Sequence, residues 1–362
     1  MPSHPAGSKK YIKGRHPGSA KQADKRKAKR LNLALQGGGS HGAFTWGVLE
    51  RLLEDEYLEF EGITGTSAGA MNGVILAQGM MEGGRVRARE LLGEFWYRVS
   101  RSAAFNPLQP DMMDKWLASW GIPYAPGALT IDMINRMFSP SQLNMFDVNP
   151  LRDIVEELVN FEALREQSVL KLFVNATNVL NGKIKVFRTS ELTLDMVMAS
   201  ACLPFVFKTV EVDGVPYWDG GYSGNPAIYP LFYDCSASDV AIIQINPVHI
   251  DDAPQTAPEI LDRVNEISFN NTLMREMRAI AFVKKLLAKH EISDAQYKDM
   301  HVHLIEAEEL MNDFSHTTKN NVDWEFLRHL HNIGYQAADE WLAQHYEDIG
   351  KRSSIDIDDI YL

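Results

Sequence analysis

The stretch 31-LNLALQGGGSHGAF-44 runs a short apolar segment into three glycines and then into a helical pattern that continues to residue 54. A strand that ends on glycines and turns into a helix aims several backbone N–H groups at one point, since glycine tolerates the tight turn and a helix N-terminus favours negative charge. An anion is therefore expected beside Gly37, Gly38 and Gly39. Gly37 to Gly42 also spell G-x-G-x-x-G, but a dinucleotide-binding unit needs an acidic residue at the far end of the next strand to hold a ribose. That next strand is 60-FEGITG-65, and Glu59 and Glu61 lie at its wrong end.

Its far end carries 65-GTSAG-69 instead, a G-x-S-x-G in which small residues let the strand turn sharply into a helix and expose the Ser67 hydroxyl. Taken alone, five residues are weak evidence, because a small serine in any tight turn gives the same pattern. Two such turns on consecutive parallel strands, however, face the same carboxyl edge of the sheet, where α/β folds place their sites. The N–H groups of Gly37, Gly38 and Gly39 can then hold the oxyanion that forms when Ser67 attacks an acyl carbon.

A serine hydroxyl is a poor nucleophile until a base takes its proton. In 217-YWDGGYSGNP-226, Asp219 stands between two aromatics that exclude water and two glycines that permit close backbone approach; the plainer reading is an aspartate opening a turn. Eleven histidines are available, and His303 in 301-HVHLI-305 is the candidate base for a conventional Ser-His-Asp triad, set against an ordinary role in a strand.

Strand and helix patterns alternate along the rest of the chain. A helix is expected over 151-LRDIVEELV-159; 171-KLFVNATNVL-180 and 183-KIKVFR-188 flank the turn signal Asn181-Gly182, and Asp213-Gly214 sits between two further short strands. Buried strands are expected at 239-DVAIIQINP-247 and 301–305, with amphipathic helices over 258–289 and 324–343. The order implies a three-layer α/β/α domain with a mostly parallel central sheet. Residues 101–148 interrupt this with a Pro-, Met- and Trp-rich insertion holding five of the fifteen methionines, a candidate cap or lid whose adaptable thioethers suit variable acyl chains; a permanently packed helical insertion is the alternative.

The 362 residues are 45% hydrophobic, enough for one large core, and no window is apolar enough to span a membrane. The N-terminus lacks a secretory apolar region, so a cytoplasmic location is expected. Cys202 and Cys235 are too few for a disulfide framework and are not spaced as metal ligands. No EF-hand or H-E-x-x-H spacing occurs, and no metal or cofactor is implied. Residues 1–30 hold ten Lys or Arg against the single acid Asp24, which leaves −21 on the remainder of a chain whose net charge is −12. This arm reads as a solvated, disordered tail that can also touch anionic membranes; the acidic body argues against nucleic acid. Residues 351–362 are expected to form a solvated acidic end.

GGGSHG, GTSAG and DGG in that order resemble the patatin-like phospholipases, as do DVNPLRD, NATNVLNGK, the ASACLPFVF run and NEISFNNTLMREMRAI. The resemblance covers about residues 31–350, and the further segments are similar to bacterial members. It implies a patatin-like fold and a serine acyl hydrolase acting on lipid esters, with Ser67 as nucleophile, Asp219 as the base of a dyad without histidine, and Gly37, Gly38 and Gly39 as the oxyanion loop. One departure is Ser40-His41, where the family often carries Arg or Lys. A triad esterase, in which His303 would be essential, and a lipid-surface binding module with a vestigial site are the competing functions.

Overall fold

The structure is a computed structural model describing residues 27–102, 149–204, 206–250, 252–293, 297–312, 314 and 316–362. The basic arm up to residue 26 lies outside the described residues, as does the candidate cap apart from Arg101 and Ser102.

Eight strands form one sheet: β1 (Lys29–Leu35), β2 (Leu58–Gly65), β3 (Lys171–Asn178), β4 (Ile184–Arg188), β5 (Val210–Val212), β6 (Val215–Asp219), β7 (Asp239–Ile243) and β8 (His301–Ile305). Their order is β5-β6-β3-β2-β1-β7-β8, with β4 also paired to β3. The run β3-β2-β1-β7-β8 is parallel, and β4, β5 and β6 are antiparallel additions. The quoted opening stretch explains why two layers of helix are needed. Leu31, Leu33 and Leu35 enter one apolar cluster while the intervening Ala34 enters the other, so both faces of the central strand demand cover.

The helices are α1 (Gly42–Glu54), α2 (Ala68–Ser102, interrupted at Gly83-Gly84), α3 (Pro150–Leu158), α4 (Phe161–Gln167), α5 (Leu194–Ser200), α6 (Tyr229–Asp234), α7 (Ala257–Ala288), α8 (Glu308–Asn312), α9 (Trp324–His345) and α10 (Ile357–Tyr361). Leu49, Ile75, Val155, Val197 and Leu330 place α1, α2, α3, α5 and α9 on the first face; Leu231, Leu273 and Ile357 place α6, α7 and α10 on the second. The result is the expected three-layer α/β/α arrangement. Both turn signals lie in hairpins, but only Asp213-Gly214 is the two-residue turn, with the left-handed φ values of 52° and 75° that such a turn requires; Asn181-Gly182, expected to be one too, sits in the longer connection 179–183 with Gly182 at φ 69°.

β7 stops at Ile243, short of the expected Pro247, and both ends of the domain also differ from expectation. β1 begins at Lys29, inside the predicted arm, because its backbone pairs with Leu58 while Lys29 Nζ reaches the Ile349 carbonyl at 2.8 Å and an Arg30 N–H reaches Ser236 Oγ at 3.2 Å. Basic side chains at the start of a strand are thus compatible with a paired backbone. The acidic C-terminal end is not simply solvated either. Ile357 and Tyr361, four residues apart, are buried, and the Tyr361 hydroxyl donates to Gln244 Oε1 at 2.8 Å, so helical apolar spacing prevails while Asp358 and Asp359 stay exposed.

The topology sets up a meeting point. β4 covers one edge of β3 from Phe173 to Thr177, so β2 and β6 must share the other edge. β2 takes the first half of β3, ending at Gly65 opposite Val174, and β6 takes the second, with Asp219 opposite Ala176. The last residue of β6 therefore arrives where the chain leaves β2 for Ser67.

Candidate active site

Ser67 has φ 54°, one of three non-glycine residues with positive φ among the described residues. A serine held in the left-handed region costs on the order of 1–2 kcal/mol. The surroundings hold it there: its N–H donates to Ser200 Oγ at 2.9 Å, Thr66 Oγ1 donates to the Gly224 carbonyl at 2.7 Å, and a Cβ on Gly65 would lie 2.7 Å from the Gly69 backbone.

Asp219 is 2% exposed. Its Oδ1 accepts the Gly221 N–H at 2.7 Å, and the Ser67 side chain stands near enough to lower the carboxyl's affinity for a proton. Burial pushes the carboxyl up to about 6, while the Gly221 N–H and the nearby Ser67 side chain pull in the opposite direction. Its backbone is fixed on both sides, the N–H donating to the Cys202 carbonyl and the carbonyl accepting from Thr177 Oγ1, each at 2.8 Å. Adjacent Gly220 packs against the Asn175 backbone, where a side chain has no room.

The glycine loop borders the serine. A Cβ on Gly37 would stand 2.8 Å from Ser67 Cβ and 2.8 Å from the Thr66 carbonyl, which explains the requirement for glycine. Of the three glycines expected to donate to an oxyanion, Gly37 uses its N–H on Asn225 Oδ1 at 2.7 Å. Among the described residues no hydrogen-bond partner is found for the N–H groups of Gly38 and Gly39, and Gly39 takes φ 59°. His41 is 2% exposed, its Nε2 lying 2.7 Å from Thr318 Oγ1 and its ring near Phe314 and Phe326.

Ser67, Asp219 and the loop are thus brought together, whereas His303 is not. The register sets His303 level with Ala241 and Leu33, within the sheet, and its Nε2 lies 3.0 Å from Asp239 Oδ1 at the start of β7. Its ring meets Trp341 edge-on, and it is fully buried. A cavity of about 610 Å³ beside Asp239, His301, Lys29 and Arg30 opens at this amino-terminal edge, opposite the glycine turns.

Several positioning residues escaped the sequence reading. Asn175, in the NATN segment of β3, donates through Nδ2 to the Gly65 carbonyl at 3.1 Å and to Thr66 Oγ1 at 3.1 Å. Asn225 ties the segment after Asp219 to the glycine loop, and its own N–H donates to Thr272 Oγ1 of α7 at 3.1 Å. Gln36 Oε1 accepts the N–H groups of Ile245 and Asn246 at 2.9 and 3.0 Å, fixing the chain ahead of the glycines. Glu276 of α7 accepts the N–H groups of Ile228 and Tyr229 at 2.7 and 2.9 Å, and burial raises its carboxyl to about 7. A polar residue inside an otherwise apolar strand, as at Asn175, is the kind of signal by which the sequence marks such a scaffold, and it went unread.

The sequence profile of the patatin-like phospholipases matches residues 33–232, a span that contains Ser67, Asp219 and the glycine loop. The chain belongs to the patatin-like phospholipase family. Membership implies a lipid acyl hydrolase. No match is found among curated protein sequences. Among solved structures, this patatin-like chain is similar to VipD from Legionella pneumophila, at 15% identity and a TM-score of 0.41, over 88% of this chain and 67% of that one. It is also similar to ExoU in its complex with SpcU from Pseudomonas aeruginosa, at 13% identity and a TM-score of 0.34, over 89% of this chain and 52% of that one. The patatin-like chain therefore spans about half the length of the ExoU structure. No helix among its described residues is long and apolar enough to cross a membrane.

Proposed function

We propose that this protein hydrolyses fatty-acyl esters of glycerophospholipids or related lipids through a Ser67–Asp219 dyad and an acyl-enzyme intermediate. Asp219 accepts the Ser67 proton as Oγ attacks the ester carbonyl, and the carbonyl oxygen, now an oxyanion, is held by the N–H groups of Gly38 and Gly39. Collapse of the tetrahedral intermediate expels the lyso-lipid alkoxide, which takes the proton from Asp219. A water then attacks the acyl-Ser67 ester, giving its proton to the same carboxylate, and the fatty acid leaves as Ser67 recovers its proton.

The observation that carries this reading is the buried Asp219 carboxylate at the end of β6, beside the turn that carries Ser67, its affinity for a proton raised by burial to about 6. A base with that value is ionised at neutral pH yet far more basic than an exposed aspartate. The triad alternative is disfavoured by His303, whose imidazole is turned to Asp239. The basic arm ahead of β1 is proposed to bring the enzyme to anionic membranes without taking part in the chemistry.

The test is incubation with a mixed lipid extract followed by mass measurement of what disappears. Loss of specific diacyl lipids with appearance of lyso-lipids and fatty acids, absent with Ser67→Ala, is the expected result. Lipids unchanged by the wild-type protein would favour the binding-module alternative.

A further inference from the structure

α7 is 32 residues long and carries apolar side chains on two opposite sides. One side is spent inward: Asn270, Leu273, Met277 and Ile280 are buried, and Thr272 and Glu276 brace the segment after Asp219. The other side presents Ile260, Val264, Ile267 and Phe282, all about half exposed or more. Exposed Asn271, Arg275 and Arg278 fill the interval between Ile267 and Phe282, and no hydrogen-bond or ion-pair partner is found for their side chains among the described residues. With 3.6 residues to the turn, these positions fall within an arc of about 80° and form one stripe about 33 Å long. Beyond Phe282 the stripe closes, because Lys285 is paired with Asp358 of α10 at 2.7 Å.

The spacing along the stripe is 4, 3, 4, 4, 3, 4, which reads the same in both directions about Asn271. Steps of three and four are those of a coiled-coil seam, and one Asn inside such a seam fixes its register. A spacing that reverses on itself suits a helix meeting its own copy antiparallel, since a two-fold axis through Asn271 sets Ile260 against Phe282, Val264 against Arg278 and Ile267 against Arg275 of the second copy. A bilayer or an unrelated protein imposes no such reversal. Charge selects the same orientation. The half of α7 before Asn271 holds Glu259, Asp262 and Glu266 against Arg263, whereas the half after it holds Arg275, Arg278, Lys284 and Lys285 against Glu276. Antiparallel pairing lays the acidic half on the basic one, while the arginine stems cover the apolar residues opposite.

We propose that α7 is a self-association surface through which two copies of this chain pair as an antiparallel, two-fold dimer with Asn271 on the axis. A stripe about 33 Å long and about 10 Å wide is small for a specific interface, so the dimer is expected to be a dissociable one. The inference is independent of the acyl hydrolase reading.

Sedimentation equilibrium of the full chain should show monomer and dimer in exchange with a Kd on the order of micromolar. Ile267→Lys sets a new cation against Arg275 twice in a two-fold interface and should weaken the dimer at least about 30-fold. Adding Arg275→Glu to that variant turns both clashes into opposite-charge pairs and should restore at least about 10-fold of the loss. Both positions are exposed, so circular dichroism should be unchanged. Oxidation of Asn271→Cys with copper phenanthroline should link two copies through the new thiols, the native Cys202 and Cys235 being buried. Val264→Cys, about 21 Å along the seam from its own counterpart, should link only when mixed with Arg278→Cys. Wild type that stays monomeric at all concentrations, or a dimer indifferent to Ile267→Lys, overturns the proposal. Self-linking of Val264→Cys without self-linking of Asn271→Cys overturns the antiparallel arrangement. A monomeric wild type whose binding to phosphatidylglycerol vesicles is lost in Ile267→Lys would assign the stripe to a membrane and overturn the dimer.

Discussion

Replacing Asp219 by Asn should abolish hydrolysis and, at the same time, make the protein more stable. The carboxyl is 2% exposed and its affinity for a proton is raised from 3.8 to about 6, with burial as the largest cause. At about 1.4 kcal/mol per pH unit, keeping this group ionised in the fold costs up to about 3 kcal/mol relative to the unfolded chain. The sign follows from the raised value. Below pH 4 the carboxyl is neutral in both states and costs nothing; the cost grows between 4 and 6 and is complete above 6. An Asn side chain retains an acceptor for the Gly221 N–H and carries no charge, so Asp219→Asn escapes the cost. Urea unfolding of both proteins at several pH values isolates this site, because the other titrating groups cancel in the difference. The stability gained by Asn should be near zero at pH 4 and approach about 3 kcal/mol at pH 8. A variant that is less stable at pH 8, or a difference independent of pH, would refute the claim that a buried, ionised Asp219 is being held against its solvation preference.

The same group sets the rate: log kcat/KM on a soluble ester should rise with unit slope and level off above a midpoint at about 6, measured by initial rates across pH. Asn225→Ala removes the acceptor of the Gly37 N–H and should lower kcat by about 100-fold through misalignment of the loop, with a smaller loss of stability, read from kinetics and thermal melts together. Deleting residues 1–26, ahead of β1, should leave soluble-ester hydrolysis unchanged while reducing co-sedimentation with anionic vesicles at low salt; equal sedimentation of both forms would remove the arm from membrane binding.

The parts of the fold legible in the sequence were those governed by local rules. Apolar alternation in LNLALQ, the Asn181-Gly182 and Asp213-Gly214 turns and the helical spacing from Leu327 to Trp341 each depend on neighbours a few residues away, and the structure follows them. The glycine turns after β1 and β2 were legible for the same reason, and their shared edge followed from parallel pairing. What depended on long-range contacts was not legible. Asn225 meets Gly37 across 188 positions and Ser67 meets Ser200 across 133, and no local pattern marks either pair. The engagement of the Gly37 N–H by Asn225, which moves the free donors to Gly38 and Gly39, belongs to that class. The packed end at Ile357 and Tyr361 was hidden for a different reason: the three acids Asp356, Asp358 and Asp359 obscured two apolar residues at helical spacing.

The most direct test of the dyad is to react a fluorophosphonate ester with wild type, Asp219→Asn and His303→Gln, each checked for folding by circular dichroism, and to locate the adduct by peptide mass mapping. The account predicts modification of Ser67 alone in wild type, the same residue at a similar rate in His303→Gln, and a rate at least about 100-fold lower in Asp219→Asn. Modification of a serine other than Ser67, or a folded His303→Gln protein that fails to react while Asp219→Asn still does, would contradict it.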